Sequence, residues 1–294
     1  MAIETVGIQT SLWNNNFKSI LLLTLLPVVL GGLIWSIMIY ISNDFDSAMT
    51  GTFIGLIIVG IWFFIAFIFQ EDLTMTMAQA HEIDRKTYPQ LYNLVENLSI
   101  TVGIKMPKLY MMDSDALNAF SSGISINNAA ICVTSGLVKK LNKNELEAVL
   151  AHEMSHITHR DMRLLTIATL FVGIIAILSQ IALRSLLFRG SNDKRNFPIV
   201  LIVIAASIIG YFLAILSKFA ISRKREFMAD AGSVVLTKDK DAMISALKKV
   251  SGKSEIADAP SDLHFMLFDN SESYLGLFDT HPSIEKRINA LKKY

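Results

Sequence analysis

Ala148-Val149-Leu150-Ala151-His152-Glu153-Met154-Ser155-His156-Ile157 is the stretch on which the chain is organised. It holds a His-Glu-x-x-His core with no Pro or Gly to break a helix. On a helix of about 3.6 residues per turn, side chains four apart share a face, so His152 and His156 can grip one metal ion. Glu153 is offset by about 100°, which sets its carboxylate beside the metal rather than in a ligand position. Upstream, Asn142-Lys143-Asn144-Glu145 has the form of a capping box and marks the helix start.

The rest of the 294-residue chain is unusually apolar, at 52% hydrophobic residues and a mean hydropathy of +0.45. The excess lies in four blocks. A net charge of +1 carries no message about nucleic acid, and with no basic stripe none is expected as a partner. The single cysteine, Cys132, excludes an internal disulfide. With six histidines and one pair at ligand spacing, the chain is no multi-histidine iron oxidase.

Ile20 to Ile41 is long enough to cross a hydrocarbon core of about 30 Å, and Thr52 to Phe69 forms a second span. The connection carries Asp44 and Asp46 but no Lys or Arg. By the positive-inside rule it lies outside, with the N-terminus and the chain after Gln70 in the cytoplasm. From Gln70 to Arg163 the composition is that of a soluble α/β segment. Thr87 to Val102 reads as an amphipathic helix ended by Gly103; Leu109 to Met112, Asn118 to Ile126 and Ala129 to Val133 read as strands of a small antiparallel sheet. Leu164 to Leu183 and Pro198 to Leu216 are the third and fourth apolar runs. Their loop carries Arg184, Arg189, Lys194 and Arg195, against the charge bias if both runs cross. Asp241 to Val250 and Ser283 to Lys293 are further amphipathic helices.

The expected fold class is therefore an α+β multi-pass membrane protein, mainly helical, with four apolar helices and a zincin-like catalytic domain. Four segments follow: 1–70, a transmembrane hairpin; 71–163, the first half of a cytoplasmic domain that carries the His-Glu-x-x-His helix; 164–217, a second hydrophobic helix pair; and 218–294, the second half of that cytoplasmic domain.

Hydrolytic zinc needs three protein ligands and one open position. The metzincin spacing would put His where Met162 stands. His159 shares the helix face but lies about 10 Å along the axis from His152, too far to close a compact tetrahedron. Glu226, in Arg223-Lys224-Arg225-Glu226-Phe227-Met228-Ala229-Asp230, is the strongest candidate, with Asp230 one turn on to orient a histidine. The alternative for Glu226 is an ion pair with the basic residues beside it. Since His152 and Glu226 must share one aqueous side, an even number of crossings separates them.

His-Glu-Met-Ser-His at 152–156, the Arg-Glu-Phe-Met-Ala-Asp run at 225–230, Asn118-Ala119-Phe120, and Thr280-His281-Pro282 with Arg287 together resemble the HtpX-type membrane metalloproteases, relatives of the CaaX-prenyl endopeptidases. The resemblance spans nearly the whole chain. It implies a zinc endopeptidase of the bacterial inner membrane, with one Zn²⁺ per chain, acting at the cytoplasmic face on damaged or misfolded membrane proteins under stress. It implies His152, His156 and Glu226 as ligands, Glu153 as base, Asp230 as an outer acidic residue, and Asn118, Ala119 and Phe120 as a strand bordering the cleft. His281 resembles a histidine facing the reacting carbonyl, and Arg287 is an added candidate for holding the oxyanion. Arg160 stands where many such proteins carry glycine before the aspartate, here Asp161. Two other readings remain: an intramembrane protease, disfavoured by Lys143, Glu145 and Glu147 ahead of the motif, and a zinc-binding scaffold or transporter, which predicts ligands inside the apolar runs.

Overall fold

A computed structural model describes residues 44–163, 223–251, 253 and 282–294, with scattered positions between 24 and 42 and at 180, 205 and 208. The chain divides into two compact units: residues 16–69 with 167–217, and residues 1–15 with 70–166 and 218–294.

In the first unit, α1 runs Phe45–Ile68. It begins well before Thr52, because Asp44 accepts a hydrogen bond from the Ser47 amide and caps the first turn, which contains Asp46. The two aspartates expected in an open connection thus start the helix. At 24 residues α1 is about 36 Å long, and Phe53, Ile58, Ile61 and Phe64 face outward. Among the described residues it is the one helix long and apolar enough to cross a membrane. Its small-residue side packs on the preceding apolar run: a Cβ on Gly51 would stand 2.8 Å from the Met38 sulfur, and one on Gly55 2.9 Å from Ile34. Such glycine contacts are how helices associate in lipid, where burial of apolar surface supplies no drive. The expected third and fourth apolar helices, and most of the first, lie outside the described residues.

The second unit opens with α2 (Gln70–Met77) and β1 (Ala80–Glu82). After these come α3 (Pro89–Val102), β2 (Lys108–Met112), β3 (Ala119–Ser125) and β4 (Asn128–Thr134). Five helices are described beyond the sheet: α4 (Ser135–Lys140), α5 (Lys143–His159), α6 (Arg223–Thr237), α7 (Lys240–Val250) and α8 (Ile284–Lys293). The chain is thus mainly helical with one small sheet. Helix α3 starts with Pro89 in its first turn and ends on Gly103 at φ +76, buries Leu91, Leu94, Val95 and Leu98, and matches the amphipathic pattern.

The sheet is mixed, not antiparallel as expected: its order is β1-β2-β4-β3, and β2 and β4 run parallel. The tight turn between β3 and β4 makes those two antiparallel. The all-apolar core of β4, Ala-Ala-Ile-Cys-Val, is buried on both faces and so takes a central place, which sets it alongside β2 in the same direction. Among the described residues β3 is left on the edge. Leu109, Met111, Ile131 and Val133 point into the main core under α3, α5 and α7, while Tyr110, Met112, Phe120 and Cys132 face Met75 of α2. Arg160, which ends α5, holds φ +57, a left-handed conformation natural to glycine.

Candidate active site

Helix α5 carries the motif. Its capping box is complete: the Asn142 side chain accepts from the Glu145 amide at 2.9 Å, and Glu145 accepts from the Asn142 amide at 2.8 Å. Glu145 also accepts from Ser245 at 2.7 Å and pairs with Lys249 at 2.6 Å, fixing α5 to α7. Two turns on, His152 and Glu153 are buried.

Glu226 reaches the motif because α6 crosses α5 closely. A Cβ on Gly232 would come within 3.0 Å of the Ser155 Cβ, and the Ser233 hydroxyl donates to the Ala148 carbonyl at 2.6 Å. With only glycine and serine at the crossing, the first turn of α6 lies over the last turns of α5. Ser233 and Ala229 are buried there.

The three side chains converge. His152 Nε2 and His156 Nε2 are 3.1 Å apart; Glu226 Oε2 is 3.5 Å from the first and Glu226 Oε1 3.4 Å from the second. Four ligands at about 2.05 Å in a zinc tetrahedron stand about 3.3 Å from one another. The three side chains therefore fit zinc, and they are the group among the described residues whose donor atoms converge for a metal. Each imidazole is turned by its other nitrogen: His152 Nδ1 lies 3.0 Å from Asp230 Oδ1, and His156 Nδ1 3.1 Å from Asp161 Oδ2. A guanidinium backs each aspartate. Arg287 donates to both oxygens of Asp230, at 2.9 and 2.7 Å, and Arg225 Nη1 is 3.3 Å from Asp161 Oδ1.

The electrostatics also suit a divalent cation. Four carboxylates (Glu153, Asp161, Glu226, Asp230) face two guanidiniums (Arg225, Arg287), so these six groups are formally two positive charges short. Burial alone would lower the His156 pKa, but the negative charge of Glu226, then Asp161 and Glu153, pushes it up to about 9. Burial would raise Asp230; Arg287 and the His152 ring instead hold it below the ordinary carboxylate range. Asp161 is lowered likewise, against burial, by His156 and Arg225.

The residues singled out in the sequence divide clearly. His152, His156, Glu226, Asp230 and Arg287 meet in one cluster, and Glu153 lies close enough for its charge to act on His156. His159 turns away, its Nδ1 2.6 Å from the Ser155 carbonyl. Asn118, Ala119 and Phe120 are buried, and Asn118 is tied to β4, with Thr134 N donating to its carbonyl at 3.0 Å. What they present is the edge of β3, which runs beside α5. His281 lies outside the described residues. Asp161 and Arg225 were not singled out. The signal for Asp161 was faint: an acid five residues past His156, just where Arg160 turns the chain back.

The peptidase family M48 model matches residues 85–294. A protein described as a protease HtpX homolog from Bacteroides fragilis is 41% identical over 99% of this chain and 100% of its own length. Another of that description from Streptococcus equi is 38% identical, over 84% of this chain and 87% of its own. Among solved structures, that of S. mikatae Ste24p aligns at 20% identity with a TM-score of 0.49, covering 96% of this chain and 67% of that one.

Proposed function

This chain belongs to peptidase family M48 and is a metalloendopeptidase of the HtpX type, and from that premise we propose that His152, His156 and Glu226 hold its one zinc ion, with Glu153 as general base. The observation that carries the assignment is the convergence of the three side chains: the two Nε2 atoms are 3.1 Å apart, and each lies 3.4 or 3.5 Å from one of the two Glu226 oxygens, close to the about 3.3 Å edge of a zinc tetrahedron. Zinc bound there polarises a peptide carbonyl and brings the pKa of water toward about 7.

The protein's own groups do the rest. Asp230 holds the proton on His152 Nδ1, so the Nε2 lone pair faces the metal position. Arg287 keeps Asp230 ionised in a place where burial would otherwise protonate it. Glu153 takes the proton of the attacking water and passes it to the leaving amine. Arg287 Nη1, 3.9 Å from Glu226 Oε2, balances the ligand carboxylate, which favours a structural cation at this position over the oxyanion donor expected from sequence. An extended substrate would pair along the outer edge of β3 past Asn118, whose own amide and carbonyl are bonded to Thr134, giving affinity with little sequence preference.

The enzyme works at the cytoplasmic face of a bacterial inner membrane, as a multi-pass protein, on exposed segments of misfolded or damaged membrane proteins. Support comes from α1, an outward-facing apolar helix of membrane length, from the absence of Lys or Arg around its start, and from the resemblance to HtpX-type proteases.

The test is zinc content measured beside cleavage of casein in detergent. The wild type should carry one zinc and cleave. Glu153→Gln should keep the zinc and lose cleavage by about 10²-fold or more; cleavage at the wild-type rate removes Glu153 as base. Glu226→Ala should lose the zinc, and full occupancy in that variant returns the third-ligand search to His159.

A further inference from the structure

The second histidine has an orienting partner of its own. We propose that Asp161, backed by Arg225, is a positioning residue for His156, fixing its ring so that Nε2 points at the metal position; this rests on the ligand assignment above.

Three observations carry it. His156 Nδ1 is 3.1 Å from Asp161 Oδ2, so the ring N–H donates outward and Nε2 keeps its lone pair for a cation. Asp161 Oδ1 is 3.3 Å from Arg225 Nη1, and Arg225 is 5% exposed, so the carboxylate's charge is matched away from solvent. The arrangement repeats the Arg287–Asp230–His152 chain on the other ligand, with different elements supplying it. On one side the aspartate comes from α6 and the arginine from α8. On the other the aspartate follows α5 and the arginine precedes Glu226 by one residue.

The chain's turn explains how Asp161 gets there. A helix continuing past His159 would carry residue 161 about 500° around from His156, some 140° off its face. The left-handed Arg160 stops α5 and folds residue 161 back along the ring. Arg225 then joins this turn to α6, so the aspartate that aims one ligand is clamped by the helix that brings the third. The coupling would make the metal site sensitive to any shift of α6 against α5.

The experiment measures zinc dissociation constants by chelator competition, and the visible spectrum of the cobalt-substituted full chain in detergent, for wild type, Asp161→Asn, Asp161→Ala and His156→Ala. Asn keeps the volume and an acceptor but loses the charge; Ala loses both. The expected result is a zinc Kd raised about tenfold in Asp161→Asn and up to about a hundredfold in Asp161→Ala, with a changed cobalt ligand-field spectrum in both. An unchanged cobalt spectrum in both variants overturns the inference whatever the affinity does, since general loosening of the fold weakens binding without turning the ring. If Asp161→Asn does not fold, Arg225→Lys, which keeps a cation but loses the planar fork, is read by the same two measurements and the same criterion. Wild-type zinc affinity in His156→Ala would instead remove the ligand assignment, and the inference with it.

Discussion

Arg287→Met is the substitution that separates the electrostatic account of this site from a merely steric one. Arg287 is fully buried and donates twice to Asp230, at 2.9 and 2.7 Å, with Glu226 3.9 Å away. Methionine fills much of the volume and removes the charge. Asp230 is then a buried carboxylate whose remaining partner is the His152 ring, and the cluster falls from two to three positive charges short. Removing one member of a buried pair costs about 3–5 kcal/mol. At roughly 2–4 °C per kcal/mol for a domain of this size, the metal-free protein should melt on the order of 10 °C lower. Zinc should recover more of the loss than it adds to the wild type, because it supplies the missing charge. Arg287→Lys should fall between, since an ammonium restores charge without the fork. The assay is thermal unfolding in detergent, with chelator and with zinc, followed by far-ultraviolet circular dichroism. A metal-free melting temperature within 2 °C or so of wild type would refute the reasoning: it would mean that Asp230 takes up a proton and needs no cation.

Gly232→Ala should push α6 off α5, because the new methyl would meet Ser155; a cost of about 1–3 kcal/mol and a weaker zinc Kd are expected, with partial recovery in combination with Ser155→Gly, and unchanged zinc affinity in the single variant would contradict the close crossing. Arg160→Gly should stabilise the fold by about 1 kcal/mol of relieved left-handed strain, read as a melting temperature roughly 2–4 °C higher; no gain would show the Arg160 side chain contributing as much as its backbone costs. His156, with its pKa pushed up to about 9, carries a proton at pH 7 when no metal is bound, so zinc uptake should release about one proton there and fewer as pH rises through 9. The sign follows from a folded pKa above the ordinary histidine value: the metal-free fold gains from that proton below about pH 6.5 and loses the gain as pH rises through 9. Calorimetry in buffers of different ionisation enthalpy reads the released proton, and equal heats in all buffers would contradict it.

What could be read from the sequence is what lies within a turn or two of itself. The capping box at Asn142 and Glu145, the shared face of His152 and His156, the end of α3 at Gly103 and the places of β2, β3 and β4 between polar turns are all set by local sequence and hydrogen bonding, and all are present. Hydropathy found α1 but not its start, because a window that scores Asp46 and Ser47 as polar cannot see Asp44 capping the turn that contains them. The sheet's pairing was misjudged for a related reason. Three strands joined by short turns look like a meander, and only the two-sided burial of Ala130, Ile131 and Cys132 draws β4 into the middle beside β2. Glu226 was legible because the run around it is distinctive, whereas the 3.1 Å contact of Asp161 with His156 was not: a left-handed residue intervenes, and helical periodicity stops there. Arg225, next to Glu226, read as one of the basic residues that could pair with that glutamate, yet it is buried against Asp161. A metal site thus divides between two kinds of information. Short-range spacing names His152 and His156 and a distinctive run names Glu226, while their aim is set by charges that arrive through the angle at which α6 crosses α5, and that angle rests on a glycine facing a serine.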